Sequence, residues 1–121
     1  MEERGSFKCW WDEKEGIIKN KAIGYYDEEA AKGQEVELLK LASKIPGGAL
    51  LLSDMTKTGK ASVEARKVLL RLLRNKAFKK QAYFGVNMFV KSVLVFIIKI
   101  AGLKNIGMFK NEAEALKWLK K

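Results

Sequence analysis

The 121-residue sequence contains no histidine, one cysteine and one proline. Histidine is the commonest general base and the commonest metal ligand, so its absence argues against zinc sites and against Ser-His or Cys-His catalysis. The single cysteine, Cys9, cannot form a disulfide within the chain. These absences predict a protein that has no metal site, no cofactor and no enzymatic activity.

Long apolar runs and low-complexity segments are missing as well. No segment reaches the roughly 18 apolar residues that a membrane span requires, and residues 1–11 lack the apolar centre of a signal peptide. Because nothing in the sequence is typical of a linker, residues 6–121 are predicted to form one domain. We expect a cytoplasmic protein, with peripheral attachment to a membrane as an option.

The first part of the chain predicts a β-hairpin followed by a helix. Residues 7–12 and Ile17–Tyr26 are two runs rich in aromatic and β-branched side chains, separated by a short polar turn. Asp27 is suited to cap a helix, and Pro46 is expected to end it. The apolar spacing places Val36 on the buried face of this helix. The sheet is therefore expected to begin with an antiparallel pair of strands.

The rest of the chain alternates between strands and helices. The predicted elements are a buried strand at 49–53, a helix at 62–75, a strand at 81–86, a helix at Met88–Ala101, a strand at 105–109 and a helix at 111–120. Strands separated by helices of this length pair in parallel through right-handed crossovers. The predicted fold class is α/β, with a mixed sheet and the element order ββαβαβαβα.

Positive charge is concentrated in the second half of the sequence. The net charge is +10, and the segments 1–56, 57–80 and 81–121 contribute −3, +8 and +5. In the helix at 62–75, the apolar spacing places Lys67, Arg71 and Arg74 together on the outer face. That face is either solvated or binds an anionic surface such as a membrane. Nucleic acid is not an expected partner, because the aromatic residues lie away from the basic ones.

Residues 54–62 lie between a predicted strand and a helix, where phosphate-binding loops occur, and contain Gly59-Lys60. A nucleotide-binding loop would need glycine at Asp54 and a hydroxyl residue at Ala61. Lys57, Lys60 and the helix N-terminus remain candidates for binding one phosphate or an anionic head group. An ordinary capped loop is the alternative. In a third class of function, Asp54 would act in an enzyme at the end of the central strand.

The helix Met88–Ala101 has more apolar surface than packing on one sheet requires. Phe89, Val93, Phe96 and Ile100 share one face of it. We interpret this face as an apolar ligand site or an interface, with a homodimer among the options. Packing against a neighbouring helix is the alternative, because helices that are apolar on all sides are generally buried.

Several short segments, in their order along the chain, resemble a known family. They are the hairpin, the helix after Tyr25-Tyr26-Asp27-Glu28, the stop at Pro46-Gly47-Gly48, the strands Leu50-Leu51-Leu52-Ser53-Asp54 and Ala82-Tyr83-Phe84-Gly85-Val86, the helix Ser62-Val63-Glu64-Ala65-Arg66 and the ending Glu114-Ala115-Leu116-Lys117-Trp118-Leu119. This arrangement is similar to the SpoIIAA-like group of STAS-type proteins over nearly the whole chain. It also resembles the fold of the CRAL-TRIO lipid carriers.

The two resemblances imply different functions. In the anti-sigma-factor antagonists of the STAS family, a partner kinase phosphorylates a serine at the start of the helix after the central strand, and dephosphorylation permits partner binding. By position this serine is Ser62, although Lys60-Ala61-Ser62-Val63-Glu64 differs from the antagonists' Asp-Ser-Ser-Gly-Leu-Gly pattern. The lipid carriers imply an apolar ligand between the sheet and its helices.

The sequence therefore predicts a non-enzymatic, STAS-like binding domain. It would act through an apolar small molecule or lipid, or through an anionic membrane surface. The alternative is a phospho-regulated protein-interaction module of the anti-sigma-factor-antagonist type.

Overall fold

Five strands form one mixed sheet, in the spatial order β1-β2-β3-β4-β5. The computed structural model describes residues 5–121, except for the side chain of Phe89. The strands are β1 (Ser6–Asp12), β2 (Ile17–Tyr26), β3 (Ala49–Ala61), β4 (Phe78–Phe84) and β5 (Ile106–Phe109), and the helices are α1 (Glu28–Ala42), α2 (Val63–Leu73), α3 (Met88–Ala101) and α4 (Glu112–Leu119).

The pairing of the strands confirms the predicted topology. β1 and β2 form the antiparallel hairpin, with Asp12 opposite Ile17 at the turn. β3 pairs in parallel with β2, β4 with β3, and β5 with β4. The predicted α/β class and the order ββαβαβαβα are both confirmed.

The helices lie on the two faces of the sheet. One core cluster joins side chains of α1, α2 and α3 to Ile18, Leu51 and Tyr83 of the strands. The second core cluster joins α4 to Ile17 and Leu52. These two residues are adjacent to Ile18 and Leu51 on the same strands, and their side chains therefore point to the opposite face of the sheet. Three helices thus cover one face, and α4 covers the other.

An oxygen-bearing side chain caps the start of each helix. Asp27, Ser62, Asn87 and Asn111 each accept a hydrogen bond from the backbone N–H three residues further on, at 2.8–3.0 Å. Such caps satisfy backbone donors that the first turn of a helix leaves free. The predicted caps Asp27 and Asn111 are confirmed.

The end of β3 differs from the prediction. Residues 54–61 were expected to form a loop after a strand at 49–53, but β3 continues to Ala61. The long partner strand β2 provides the reason, because it still pairs with Lys57, Thr58 and Ala61, after local register shifts. The predicted loop is therefore a strand, and the binding of a phosphate or an anionic head group by Lys57 and Lys60 stays a prediction.

Two smaller predictions about the elements are also wrong. Val36 was expected on the buried face of α1, yet it is 62 % exposed, because α1 turns Leu38 and Ala31 toward the sheet instead. β4 covers Phe78–Phe84 rather than residues 81–86. Within residues 5–121, no helix has both the length and the apolar content needed to cross a bilayer.

Candidate functional site

A cavity of about 550 Å³ lies between α2 and α3, over the carboxyl end of β3. This volume falls in the range of small-molecule binding sites. Four elements and one loop supply its walls. The lining residues are Tyr26, Met55, Thr58, Gly59, Lys60, Ala61, Arg66, Leu69, Asn87, Met88, Val90, Val93, Leu94 and Ile97.

Asn87 fixes the position of α3 beside β3. Its side-chain oxygen caps α3 by accepting from the Val90 N–H at 2.9 Å, and its amide nitrogen donates to the Gly59 carbonyl at 3.3 Å. One side chain therefore sets both the start of the helix and its distance from the strand end. This arrangement leaves the space between α3 and α2 open.

The inner wall of the cavity is apolar in character. Leu94 and Met55 are buried against the core, and Tyr26 presents its ring while its hydroxyl donates to the side-chain oxygen of Gln34. Burial, together with the nearby Cys9 and Glu35 groups, raises the pKa of Tyr26. Tyr26 therefore stays neutral at physiological pH.

Two cationic side chains belong to the cavity lining. Arg66 donates from Nε and Nη2 to the Ala61 carbonyl, at 3.4 and 3.3 Å. Lys60 is exposed on the last part of β3. Apolar walls with cationic groups at the edge are suited to an apolar group that carries a negative charge at one end.

Ser62 follows directly after the cavity residue Ala61. Its N–H donates to the Tyr26 carbonyl at 3.0 Å, which joins the start of α2 to the end of β2. Its hydroxyl oxygen accepts from the Ala65 N–H at 3.0 Å, and the residue is half-buried. The serine is therefore a helix cap that still has part of its surface in solvent.

The structure does not bring the predicted anion-binding residues together as one free basic face. Arg71 is bound to Glu35 of α1, with Nε–Oε2 at 2.8 Å and Nη2–Oε1 at 2.6 Å. Arg71 is exposed, as expected, but its guanidinium is paired with a carboxylate of the protein itself, and its binding of an external anion stays a prediction. Lys57, Lys67 and Arg74 are exposed, and their binding of an anion stays a prediction.

The predicted apolar set on α3 is divided between two environments. Val93 lines the cavity. Phe96 and Ile100 are 66 % and 72 % exposed and do not line it. The side chain of Phe89 lies outside the part of the chain that the structure describes. The alternative that all of α3 is buried is wrong for Phe96 and Ile100.

Cys9 and Asp54 do not line the cavity. The Cys9 thiol donates to the Asn20 side-chain oxygen at 3.5 Å, and burial raises its pKa to about 12, with the charge of Glu37 adding to the effect. Asp54 accepts from the N–H and hydroxyl of Thr56, at 2.9 and 2.6 Å. Among residues 5–121, no group of His, Cys, Asp or Glu side chains is suited to hold a metal ion.

Most of the residues that line the cavity were not predicted from the sequence. Tyr26, Met55 and Leu69 look like ordinary core residues in the sequence, and only the fold brings them together. The available signal was the surplus of apolar residues on α3, which pointed to the correct helix. It could not show which side of α3 closes the cavity, because that depends on where α2 lies.

Comparisons with solved structures identify proteins of similar fold. No family model and no curated protein sequence matches the chain. An uncharacterised protein of the DUF3478 family from Shewanella loihica, with a SpoIIAA-like fold, matches with a TM-score of 0.69 and 20% identity, over 95% of this chain and 93% of that one. The anti-sigma factor antagonist SpoIIAA, in its unphosphorylated form, matches with a TM-score of 0.69 and 10% identity, over 95% and 98%.

Because both sequence identities are low, these likenesses show a similar fold and do not show a common sequence family. They agree with the element order and with the antiparallel start of the sheet described above. The resemblance to the CRAL-TRIO lipid carriers stays a prediction. The chain therefore has a SpoIIAA-like fold.

Proposed function

We propose that the protein is a non-enzymatic binding domain that acts through a protein partner at the surface around Ser62 and the α2–α3 cavity. The observation that carries the proposal is the position of Ser62, a partly exposed hydroxyl at the start of α2 and next to a cavity residue. The likeness to an anti-sigma factor antagonist whose structure is of the unphosphorylated form supports this reading.

A phosphate on Ser62 would change the charge at the edge of the cavity. Its two negative charges would lie at the positive end of the α2 dipole, in the same short region as Lys60 and Arg66. Unmodified, this edge is cationic and adjoins an apolar wall, which suits an acidic partner that inserts an apolar side chain. Phosphorylation would repel that partner.

Variants of Ser62 test this proposal. Ser62→Ala should cost about 1 kcal/mol of stability as a lost cap and retain the partner. Ser62→Asp can still cap but adds a charge, so it should lose the partner. Ser6→Asp, on the exposed start of β1, is the matched control for added charge. Affinity capture from cells with quantitative mass spectrometry is the measurement, and identical partner profiles for all variants would contradict the proposal.

A second candidate function is the binding of an apolar ligand with an anionic end. The observation that favours it is the cavity itself, with about 550 Å³, apolar walls and the two cations Lys60 and Arg66. A carboxylate or phosphate of the ligand would pair with the cations, and its apolar part would replace water in the cavity.

Filling the cavity tests the second candidate. Val93→Trp should reduce the uptake of a fluorescent fatty acid about tenfold, because the larger side chain occupies the ligand's space and one tenfold step equals ~1.4 kcal/mol. Val95→Trp is the matched control, since Val95 is on the same helix but outside this cavity. Equal uptake by both variants, or none by the wild type, would exclude the ligand.

A further inference from the structure

α3 leaves several large apolar side chains in solvent. Among its described side chains only Leu94 is buried. Across residues 5–121, seven large apolar side chains are exposed, and four of them are on α3. These four are Met88 at 83 %, Val95 at 47 %, Phe96 at 66 % and Ile100 at 72 %. Single exposed apolar residues are common, but a cluster on one helix indicates an interaction surface.

The charges on α3 and on its flanking residues in the sequence are of one sign. The sequence has no Asp or Glu between Glu64 and Glu112. Lys91 and Lys99 on α3, and Lys104 just after it, are exposed. Lys99 lies between the Val95 side and the Phe96 side of the surface. Its long apolar stem can lie along the neighbouring side chains while its ammonium reaches outward.

α3 is a complete helix, and no other element of residues 5–121 covers its exposed Phe96 and Ile100. Asn87 caps its first turn, and Gly102 ends it in the left-handed conformation at φ 66°. The Leu103 N–H donates to the Ile98 carbonyl at 3.0 Å, which closes the last turn. With 14 residues α3 is too short to span a bilayer, but it can lie in the plane of the membrane surface.

We propose that α3 is a membrane-binding helix that lies on an anionic lipid bilayer. Phe96 and Ile100 enter the boundary between head groups and acyl chains, while Lys91, Lys99 and Lys104 bind the lipid phosphates. The apolar side chains supply burial, and the absence of acidic residues removes repulsion from the anionic lipids. A water-soluble anion would explain the lysines but leave the four exposed apolar residues without a role.

A second copy of the chain fits this surface less well than a bilayer. In a symmetric pair, the α3 lysines of both copies would approach each other, and α3 has no carboxylate to pair with them. The proposal is independent of the roles suggested for Ser62 and for the cavity, because Phe96 and Ile100 belong to neither.

Co-sedimentation with vesicles tests the proposal on the full chain. Wild type should bind vesicles of phosphatidylcholine mixed with phosphatidylglycerol more strongly than vesicles of phosphatidylcholine alone, and salt should weaken the binding. The double variant Phe96→Ser, Ile100→Ser should bind the anionic vesicles at least about tenfold more weakly, a loss of ~1.4 kcal/mol or more. Val36→Ser on α1, at another exposed apolar residue, is the control and should bind like wild type.

A fluorescence measurement keeps the test valid if the double variant does not fold. Phe96→Trp should shift its emission to shorter wavelengths when anionic vesicles are added, beyond any change of the three native tryptophans in wild type, and Val36→Trp should not.

Three results would overturn the proposal. The first is that wild type does not bind anionic vesicles at low salt, or that Phe96→Trp shows no shift. The second is that the folded double variant binds vesicles as wild type does. The third is that the double variant loses a dimer seen by light scattering, or a protein partner, while its vesicle binding is unchanged.

Discussion

Arg71 of α2 donates two hydrogen bonds to the carboxylate of Glu35 on α1, of 2.8 and 2.6 Å. The Glu35 side chain is only 12% exposed, whereas the Arg71 side chain is 59% exposed. Glu35 therefore depends on a partner that reaches it from the surface. The pair joins the two helices and explains why Arg71 is not part of a free basic face.

Removing Arg71 should destabilise the protein, because the carboxylate of Glu35 loses both donors in a largely buried position. An unsatisfied buried group of this kind costs about 1–3 kcal/mol. Arg71→Ala should therefore lower the midpoint of urea unfolding. Arg74→Ala is the matched control, since Arg74 is exposed and has no such pair among the described contacts. Equal effects of the two variants would contradict the role of the pair.

Gly85→Ala should be strongly destabilising. Gly85 has φ 72°, and an added Cβ would lie 2.9 Å from the backbone of Thr56 on β3. The left-handed backbone alone costs a side chain roughly 1–2 kcal/mol, and the close approach adds to that. Gly16→Ala isolates the backbone effect, because Gly16 has φ 70° and open space around it. Thermal unfolding should show a larger loss for Gly85→Ala, and a smaller loss would contradict the close packing.

Phe96→Ser should leave the fold intact, because most of the Phe96 ring is already in solvent. The expected change in the free energy of unfolding is within about 0.5 kcal/mol, as for other surface substitutions. Leu94→Ser, two residues earlier on α3, should cost on the order of 2–5 kcal/mol because Leu94 is 2 % exposed. Urea unfolding of both variants measures the difference. If Phe96→Ser unfolds the protein, the outer face of α3 is part of the core.

Stability should fall in alkaline solution. Burial raises the pKa of Cys9 from 9.0 to about 12, and it also raises the pKa values of Tyr26 and Tyr83. A group with a raised folded-state pKa stabilises fully below its ordinary pKa, and that contribution is lost as the pH rises toward the raised value. The loss due to Cys9 should therefore begin near pH 9.0 and continue to about pH 12.

The urea midpoint measured against pH tests the alkaline effect. Cys9→Ala should abolish the loss of stability that begins near pH 9.0. The loss due to Tyr26 and Tyr83, which begins at higher pH, should remain. An unchanged midpoint above pH 9.0 would contradict the burial of these groups.

Local patterns were sufficient to predict much of the fold. The aromatic and β-branched side chains of β2 and the apolar content of α3 predicted the observed bounds Ile17–Tyr26 and Met88–Ala101. Both elements have clear signals at their ends, a turn or a capping residue. The predicted strand ended at residue 53, whereas β3 continues to Ala61. The threonines and lysines after residue 53 have no apolar pattern and form a strand only by pairing with β2.

The candidate site was predicted less well than the fold. Val93, Lys60 and Ser62 were predicted from the sequence as candidate site residues, and in the structure they lie in or next to one cavity. Tyr26, Met55 and Asn87 were not identified as site residues, because each has a sufficient local role in a strand, in the core or as a cap.

The sequence by itself determined the order of the elements, the antiparallel start of the sheet and the capping residues Asp27 and Asn111, since all three depend on neighbours within a few positions along the chain. Only the tertiary structure decided which charged groups remain unpaired and which apolar side chains remain exposed to solvent. Arg71 is satisfied because α1 brings Glu35 to it, and Phe96 is exposed because no helix covers the outer face of α3. Contacts between distant segments set these outcomes, and periodicity within one helix contains no information about what packs against it.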